Sequence, residues 1–373
     1  MIYFDNAATS MHKPKKVIAE TVNSIKKHGN PGRGGYPLSM NAAQKIFNTR
    51  LSLANFFKNH SPERVIFTQN ATMSLNIAVK CFLPENARVL ISCFEHNSVC
   101  RSVYKLAHDI FDVSLSSDEE TVGSALDLVR DDTCMIVLTH VSNVCGRILP
   151  AGEIIKKVKE KKPDIIAVVD AAQSAGVIDI DMRRDNIDIL CVPAHKGMLG
   201  IAGLGVMLLN DKLAVPETVF IEGGTGVNSL DRTMPADPPE HFEAGTPNMP
   251  AIAALCAAVE YINSESLRKI YEHEKKLYNK AVDMLSSLKN ITLYGDFSNP
   301  NYAGAILFNS NLPCEKTAKI LAENNIFVRE GYHCSPLAHQ KLGTINTGGV
   351  RVSFGYRNTA KELDKLYKVL KNI

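Results

Sequence analysis

The chain has 373 residues, of which 42 are Lys or Arg and 39 are Asp or Glu, and this near-neutral charge gives no reason to expect a nucleic-acid or anionic-membrane partner. Hydrophobic residues make up 45% and charged residues 22%, which is ordinary for a soluble globular protein and excludes the disordered, collagen-like and disulfide-stapled classes. The first residues carry no signal-peptide pattern and no apolar run is long enough to cross a membrane, so we expect a cytoplasmic protein.

Short apolar runs alternate with helical stretches from about residue 62 to residue 210. This alternation is typical of β-α units built around a largely parallel sheet. The runs are apolar at successive positions rather than at alternate ones, as expected of strands that are covered on both faces. They lie at residues 64–68, 88–92, 135–139, 165–169 and 187–192.

The pattern changes near residue 250. An apolar helix is predicted from Pro250 to Asn263, and a longer one from Ser264 to about Lys289. Apolar residues of the longer helix follow a helical stripe at Leu267, Ile270, Leu277, Ala281, Leu285 and Leu288. Strands at 305–308, 326–329 and 350–354 and helices near 314–324 and 360–372 follow, the last opened by a capping-box pattern at 359–362.

These elements predict an α/β protein with two domains. Residues 1–250 form a large α/β domain and residues 251–373 a smaller α+β domain. We also expect the first residues, up to about residue 15, to pack on the smaller domain.

Polar side chains follow directly after each of the five predicted strands. In open α/β sheets, ligands bind at the carboxyl ends of the strands. Each of these groups is a weak signal alone, because a strand-end Asp commonly caps a helix and a lone Lys is commonly solvated. Together they match the requirements of one cofactor, pyridoxal phosphate. They lie at residues 69–72, 94–97, 140–143, 170–173 and 193–196.

Pyridoxal phosphate needs a lysine for a Schiff base, a carboxylate for its ring nitrogen and an anion site for its phosphate. Lys196 follows an apolar strand and precedes a glycine-rich stretch, 197–205, so we expect a desolvated amine with a lowered pKa. Asp170 ends the preceding strand and can meet the ring nitrogen. Ala71 and Thr72 open a predicted helix, whose first N–H groups suit a phosphate.

Three further side chains can contact the cofactor ring. His96 can stack on it, and Asn143 and Gln173 can donate to its phenolic oxygen. The glycines of 197–205 lack the G-x-G-x-x-G order and open no clear helix, so a dinucleotide site is a poor alternative.

The motifs resemble those of the cysteine desulfurase and selenocysteine lyase family, in the class V branch of fold-type I pyridoxal-phosphate enzymes. Matching segments span nearly the whole chain in the expected order, at residues 3–9, 29–31, 67–72, 95–98, 141–143, 169–173, 194–196, 242–248, 351–353 and 358–359. The resemblance implies a fold-type I transferase with a large, mainly parallel sheet and a smaller α+β domain. It also implies a homodimer with shared active sites.

The resemblance gives roles to individual residues. Lys196 holds the cofactor, Asp170 pairs with its ring nitrogen, and Thr72 and His195 help to hold its phosphate. By the same resemblance, Arg351 is the residue that clamps the substrate carboxylate, which a guanidinium can bind through two hydrogen bonds. The alternative is a solvated strand residue; against it, the two-residue period places Arg351 on the strand face opposite Val350 and Val352. The other implied substrate-side residues are Asn6, Asn30 and Arg329.

Two positions depart from the family pattern. Pro193 stands where relatives usually have a hydroxyl residue, so the phosphate needs another donor. Thr225, in a stretch that the family places across a dimer interface, is the candidate donor. Arg33 lies where many relatives carry a histidine, and we expect it to meet a substrate carboxylate or the phosphate, or else to be an exposed loop charge.

The nine cysteines contain no C-x-x-C pair, so most are expected to be buried reduced thiols. Cys334 differs, since it lies in a loop flanked by glycine and proline. This loop resembles the short active-cysteine segment of the subgroup that usually works with a sulfur-acceptor protein. A zinc site at His333 and Cys334 lacks two further ligands at a recognisable spacing, and no other metal site is predicted.

The sequence therefore predicts a pyridoxal-phosphate-dependent cysteine desulfurase that converts L-cysteine to L-alanine. Lys196 and His96 act on the cofactor side, and Cys334 carries the sulfur as a persulfide to an acceptor. The nearest alternative is a selenocysteine lyase acting on L-selenocysteine. Another class V aminotransferase, a β-elimination lyase and a non-catalytic sulfur-trafficking protein are further alternatives.

Overall fold

The computed structural model describes residues 1–32, 34–59 and 61–373. In these residues the strands are β1 Ile2–Tyr3, β2 Val65–Thr68, β3 Arg88–Ser92, β4 Ala107–Phe111, β5 Thr133–Thr139, β6 Ile166–Asp170, β7 Ile189–Pro193, β8 Gly205–Leu209, β9 Ile291–Tyr294, β10 Ala305–Ser310, β11 Ile326–Phe327, β12 Arg329–Gly331 and β13 Gly349–Ser353. The helices are α1 Lys15–Lys27, α2 Pro37–Phe56, α3 Ala71–Phe82, α4 Asn97–Val103, α5 Asp118–Asp127, α6 Ala151–Lys161, α7 Met249–Glu265, α8 Leu267–Ser286, α9 Cys314–Glu323, α10 Pro336–Lys341 and α11 Ala360–Leu370.

A seven-stranded sheet in the order β2-β8-β7-β6-β5-β3-β4 forms the centre of the molecule. Strands β3 to β7 run parallel, while β8 runs antiparallel to both of its neighbours, β2 and β7. All five strands predicted between residues 62 and 210 are present in this sheet, so the α/β prediction is confirmed.

The continuous apolar runs form strands because both faces of the sheet are covered. Ile136 and Leu138 of β5 belong to one hydrophobic cluster, whereas Met135 and Val137 belong to another. Successive side chains of a strand point to opposite faces, so a strand between two cores must be apolar at every position.

A four-stranded antiparallel sheet in the order β12-β13-β10-β9 follows in the C-terminal part, with α8 and α9 packed beside it and α11 packed on α8. The predicted capping box is present, with Thr359 and Glu362 bonding each other's backbone N–H groups at the start of α11. The predicted strand 326–329 is divided into β11 and β12.

The chain start reaches this C-terminal part. β1 pairs in parallel with β11, with Ile2 opposite Ile326, and the N–H of Ser353 donates to the carbonyl of Phe4 at 2.7 Å. Unlike α8 and α9, which pack beside the C-terminal sheet, helix α7 packs mainly against α1 and α2 near the start of the chain. The division into domains at residue 250 stays a prediction.

In the part of the chain that the structure describes, no helix combines the length and apolarity needed to cross a membrane.

Candidate active site

A cavity of about 210 Å³ lies at the carboxyl ends of the central strands. We call it the Lys196 cavity. The structure brings eight predicted residues together on its wall, namely Ala71, Thr72, His96, Asn143, Asp170, Gln173, His195 and Lys196. These residues follow β2, β3, β5, β6 and β7, so the sheet gathers side chains that are far apart in sequence.

Lys196 and Asp170 form the charged centre of this cavity. Burial lowers the pKa of Lys196 to about 8; Asp170 opposes this change and Arg351 adds to it. Burial raises the pKa of Asp170, while the positive charge of Lys196 and the N–H of Ala172, which donates to the carboxylate at 2.9 Å, lower it. A substantial share of the lysine is therefore a free amine at mildly alkaline pH.

An anion site is built at the start of α3. Asn70 caps the helix by accepting the N–H of Met73 at 2.9 Å. Ala71 and Thr72 lie on the cavity wall, and the first N–H groups of a helix have no acceptor within it. Gly205 is required behind this turn, because a Cβ there would lie 2.4 Å from the backbone of Asn70.

The two histidines of the cavity are neutral near pH 7. Burial and the charge of Lys196 lower the pKa of His96 to about 4, and the same causes lower that of His195 to about 4. His96 Nδ1 accepts the N–H of Ser98 at 3.1 Å, so its remaining proton is on Nε2. His195 Nδ1 lies 3.0 Å from the hydroxyl of Thr9.

The cavity fits pyridoxal phosphate on these observations. It holds one buried amine, one buried carboxylate, a helix N-terminus without an anion partner among the described residues and a neutral imidazole. Each group corresponds to a part of the cofactor. Pro193 also lies on the wall and supplies no donor there.

Arg351 is buried, with 2% of its surface exposed, so it is not a solvated strand residue. Its guanidinium donates to Asp5 Oδ1 at 2.7 Å and to the carbonyl of Asn143 at 2.9 Å, while its buried Nε has no partner among the described residues. Removing one member of such a buried pair typically costs about 3–5 kcal/mol. Asp5 was not predicted, and the pair joins residues 346 positions apart in the chain.

Asn6 is near Lys196 but its amide nitrogen already has partners. Nδ2 lies within 3.1 Å of both the carbonyl of Ser353 and Oδ1 of Asn358. Its role as a donor to substrate therefore stays a prediction. Arg329 is exposed at the start of β12, directly opposite Arg351 in the register of the strands.

The Cys334 loop is fixed in an unusual backbone conformation. His333 and Cys334 both have positive φ angles, of 51° and 57°. Asn143 holds the loop, because its Nδ2 donates to the carbonyl of His333 at 2.8 Å and its Oδ1 accepts the hydroxyl of Ser335 at 2.8 Å. The N–H of Asn97 donates to the carbonyl of Cys334 at 2.8 Å. Such strain is characteristic of functional loops.

These contacts place Cys334 at the entrance of the site. It lines a cleft of about 280 Å³ that shares Thr72, His96 and Ser98 with the Lys196 cavity, and Arg101 lines the same cleft. Among the nine cysteines, all of which lie in the described ranges, Cys334 is the exposed one.

Burial makes most of the other thiols poor nucleophiles. It raises the pKa of Cys81 to about 11 and the pKa values of Cys93 and Cys100 to about 12, and it also raises those of Cys145, Cys191, Cys256 and Cys314. Cys314 does begin α9, as predicted, but its thiol is buried and donates to the carbonyl of Thr347 at 3.3 Å.

A pair of buried histidines behind the loop was missed from the sequence. His333 Nδ1 lies 3.1 Å from His339 Nε2, and His339 Nδ1 lies 2.7 Å from the hydroxyl of Thr344. Burial lowers the pKa values of the two rings to about 3 and about 4. No spacing rule for metal or catalytic residues includes this pair, so the sequence offered no signal for it.

Two predicted residues lie away from the Lys196 cavity. Thr225 and Asn30 share a separate cavity of about 630 Å³, which we call the Thr225 cavity. Gly32 and Gly226 approach each other within it, since a Cβ on Gly226 would lie 3.6 Å from the Cα of Gly32. Arg33 lies outside the described residues, and its role stays a prediction.

Comparisons with known proteins agree with this geometry. The model of the family "Aminotransferase class-V" matches residues 2–366. Probable cysteine desulfurases of Methanothermobacter thermautotrophicus and Pyrococcus abyssi are 33% and 34% identical over 100% of this chain and 94% of theirs. The apo structure of cysteine desulfurase from Thermococcus onnurineus superposes with a TM-score of 0.89 at 30% identity, covering 100% of this chain and 94% of that one. The chain therefore belongs to the class V aminotransferase family of pyridoxal-phosphate enzymes and, within it, groups with the cysteine desulfurases.

Proposed function

We propose that this enzyme is a pyridoxal-phosphate-dependent cysteine desulfurase that takes sulfur from L-cysteine onto Cys334 and releases L-alanine. The observation that carries the proposal is the position of Cys334, an exposed thiol on a fixed loop whose cleft adjoins the Lys196 cavity. The cysteine desulfurases among its relatives give the same answer for the reaction.

Pyridoxal phosphate, when bound, supplies an electron sink for the electrons released at the α-carbon of the substrate. Lys196 would hold the cofactor through Nζ, Asp170 would meet its ring nitrogen, and the start of α3 would meet its phosphate. His96 would lie on its ring.

Side chains of the protein carry out the proton transfers and bind the substrate carboxylate. Lys196 Nζ takes a proton from the α-carbon and gives one to the β-carbon, because burial brings its pKa to about 8. Arg351 attracts the substrate carboxylate through its positive charge, and the exposed Arg329 adds a second positive charge.

The sulfur transfer balances without an outside reductant. The C–S bond of L-cysteine and the S–H bond of Cys334 break, and an S–S bond forms between the two sulfur atoms. The β-carbon gains one proton and the α-carbon regains the one it lost, so the proton released by the Cys334 thiol supplies the additional hydrogen of alanine. Alanine is the reduced product and the persulfide is the oxidised one. An acceptor, which we propose is a sulfur-acceptor protein, then takes the terminal sulfur from the exposed loop.

The strained, exposed thiol of Cys334 favours a desulfurase over a selenocysteine lyase. Selenium is a better leaving atom and departs without a cysteine nucleophile, so a lyase has no need of a strained, exposed thiol at the entrance of the site.

We also propose that the enzyme works in a reducing compartment such as the cytoplasm, because the cysteines of the chain are free rather than paired in disulfides.

We further propose a homodimer in which Thr225 of one subunit reaches the phosphate site of the other, replacing the donor that Pro193 lacks. The support is that Thr225 and Asn30 line their own cavity and that apolar side chains near them are exposed, such as Ile221, Val227 and Leu230. Thr225→Val should therefore weaken cofactor binding, and in a mixture with Lys196→Ala it should regain part of its activity through mixed dimers. Sedimentation of a monomer with full activity would contradict this arrangement.

The activity itself is tested on the products. With L-cysteine, pyridoxal phosphate and a thiol reductant, we expect alanine and sulfide in equal amounts. Pyruvate with ammonia would instead show β-elimination, and a keto acid in proportion to an amino donor would show transamination. Either of those products in place of alanine would overturn the proposed function.

A further inference from the structure

A second cavity of about 50 Å³ adjoins the first. It shares Lys196 and Gln173 with the Lys196 cavity, and its wall also contains Glu274 of α8. We call it the Glu274 cavity. A buried water needs roughly 10–15 Å³ of such space and two to four polar partners, so the cavity can hold about three or four waters. Polar partners on the wall are the side chains of Asn6, Ser10, Ser142 and Ser353.

Glu274 is an unusual residue for its place in the fold. Only 6% of it is exposed, and no described residue makes a hydrogen bond or ion pair with its carboxyl group. It interrupts the apolar face of α8, which otherwise buries Ile270, Leu277, Tyr278, Ala281 and Leu285. Burying a carboxyl group without a partner costs free energy that a leucine would not cost. Departures of this kind from the packing rules mark functional positions.

We propose that Glu274 exchanges protons with Lys196 through waters held in the Glu274 cavity, which makes it a relay residue for the amine. In one direction an N–H bond of the Lys196 ammonium breaks, each water passes on a proton, and an O–H bond forms on the Glu274 carboxylate. The return step reverses these changes, so no oxidant or reductant is needed. This inference rests on the proposed function, in which Lys196 is the proton-transfer group.

The acid–base balance of the two groups suits such an exchange. Burial raises the pKa of Glu274 to about 8 and lowers that of Lys196 to about 8. These opposite shifts bring the proton affinities of the carboxyl group and the amine closer together than they are in water, which favours transfer in both directions.

Most of the other titratable groups around the cavity have their own partners or act on Lys196, whereas the buried hydroxyl of Tyr278 has no hydrogen-bond partner among the described residues. The Lys13 amine donates to the hydroxyl of Ser10 at 2.6 Å and to the carbonyl of His195 at 2.9 Å. The neighbours of Glu274 on α8 bind main-chain carbonyls, His273 that of Asn358 and Lys275 that of Tyr302. The remaining groups are Tyr356 on the wall, Tyr278 one turn along α8, and Asp170, Arg351, Asp5 and Arg329, whose charges act on Lys196.

The first test uses Glu274→Gln, which keeps the shape of the side chain but removes its proton exchange. Glu272→Gln is the matched control, since Glu272 lies on the exposed side of the same helix. Exchange of the α-hydrogen of L-alanine for solvent deuterium, followed by NMR, reports proton transfer at Lys196. We expect Glu274→Gln to slow the exchange by about tenfold or more. The pH profile of the variant should keep the ionisation of Lys196 near pH 8 but lose the second ionisation, that of Glu274, which wild type and the control retain.

Two results would overturn the relay. One is an exchange rate and pH profile of Glu274→Gln that coincide with those of wild type. The other is a uniform decrease at every pH with the second ionisation retained, because that would show a structural role only. Absence of exchange in wild type would contradict the proposed role of Lys196 in proton transfer, and the relay that rests on that role would be contradicted as well.

The second test needs no cofactor. The folded-state pKa of Glu274 is raised from 4.5 to about 8, so between these pH values the folded protein binds a proton that the unfolded chain does not bind. The free energy of unfolding of the apoprotein should therefore contain a contribution that is lost as the pH rises through this range. Glu274→Gln should show a smaller decline than wild type, because Glu95, whose pKa burial also raises to about 8, contributes the rest, whereas Glu272→Gln should keep the full decline. Infrared spectra of the apoprotein near pH 7 should show a protonated carboxylic acid band that is weaker in Glu274→Gln, with the remainder from Glu95, and a band of equal intensity in the variant and wild type would also overturn the inference.

Discussion

Lys196→Ala is expected to lose covalent attachment of the cofactor and to reduce alanine formation by at least about 1,000-fold. The variant removes the amine that burial keeps partly unprotonated near pH 8, and with it the group that moves protons at both substrate carbons. General acid–base catalysis alone contributes about 100- to 10,000-fold in enzymes. Borohydride reduction followed by peptide mapping measures the attachment, and alanine release measures the activity.

Two comparisons sharpen this expectation. Lys196→Arg keeps the positive charge but has no free amine at neutral pH, so it should be as inactive as the alanine variant. Lys212→Ala, at an exposed lysine, should behave as wild type. Cofactor fixed to any lysine other than Lys196 in wild type would show that the site is assigned wrongly.

Cys334→Ser should retain cofactor binding but lose persulfide formation and nearly all alanine release from L-cysteine. A serine hydroxyl at this position cannot accept sulfur, and the loop contacts made through the main chain of residue 334 remain. Cys100→Ser is the matched control, because Cys100 lies on α4 near the same cleft but is half-buried, and burial raises the pKa of its thiol to about 12. Full alanine production by Cys334→Ser with reductant present would show that another group takes the sulfur.

Much of the fold could be predicted because its strands are buried on both faces. Continuous apolar runs marked β2, β3, β5, β6 and β7 in the sequence. β4 was missed because it lies at the edge of the sheet, where exposed and half-buried residues break the apolar run. β8 was also missed, although it is buried throughout, and its antiparallel course depends on how the chain returns to the sheet, which periodicity does not record.

The cofactor side of the site could be predicted for a related reason. Lys196, Asp170 and His96 each follow a strand of the same sheet, so strand order alone brings them to one edge. The partners that hold other side chains could not be found in this way. Asp5 lies 346 positions from Arg351, and Asn143 lies 190 positions from His333. Only the packing of the C-terminal sheet and the chain start against the large sheet makes these pairs.

The importance of Glu274 could not be recognised from the sequence. The apolar stripe of α8 was predicted from the sequence, but residue 274, which lies in a gap of that stripe, was not singled out. In the structure the gap faces a cavity that also contains Lys196. The significance of the residue came from its surroundings rather than from its type.

The central claim is that Cys334 receives sulfur from L-cysteine, and trapping of the persulfide tests it most directly. The holoenzyme would be given sulfur-labelled L-cysteine, alkylated and digested, and the peptide containing Cys334 measured by mass spectrometry. We predict one additional labelled sulfur on Cys334, none on Cys100, and loss of the label when a competent acceptor is added. An unmodified Cys334 during active alanine formation would contradict the account.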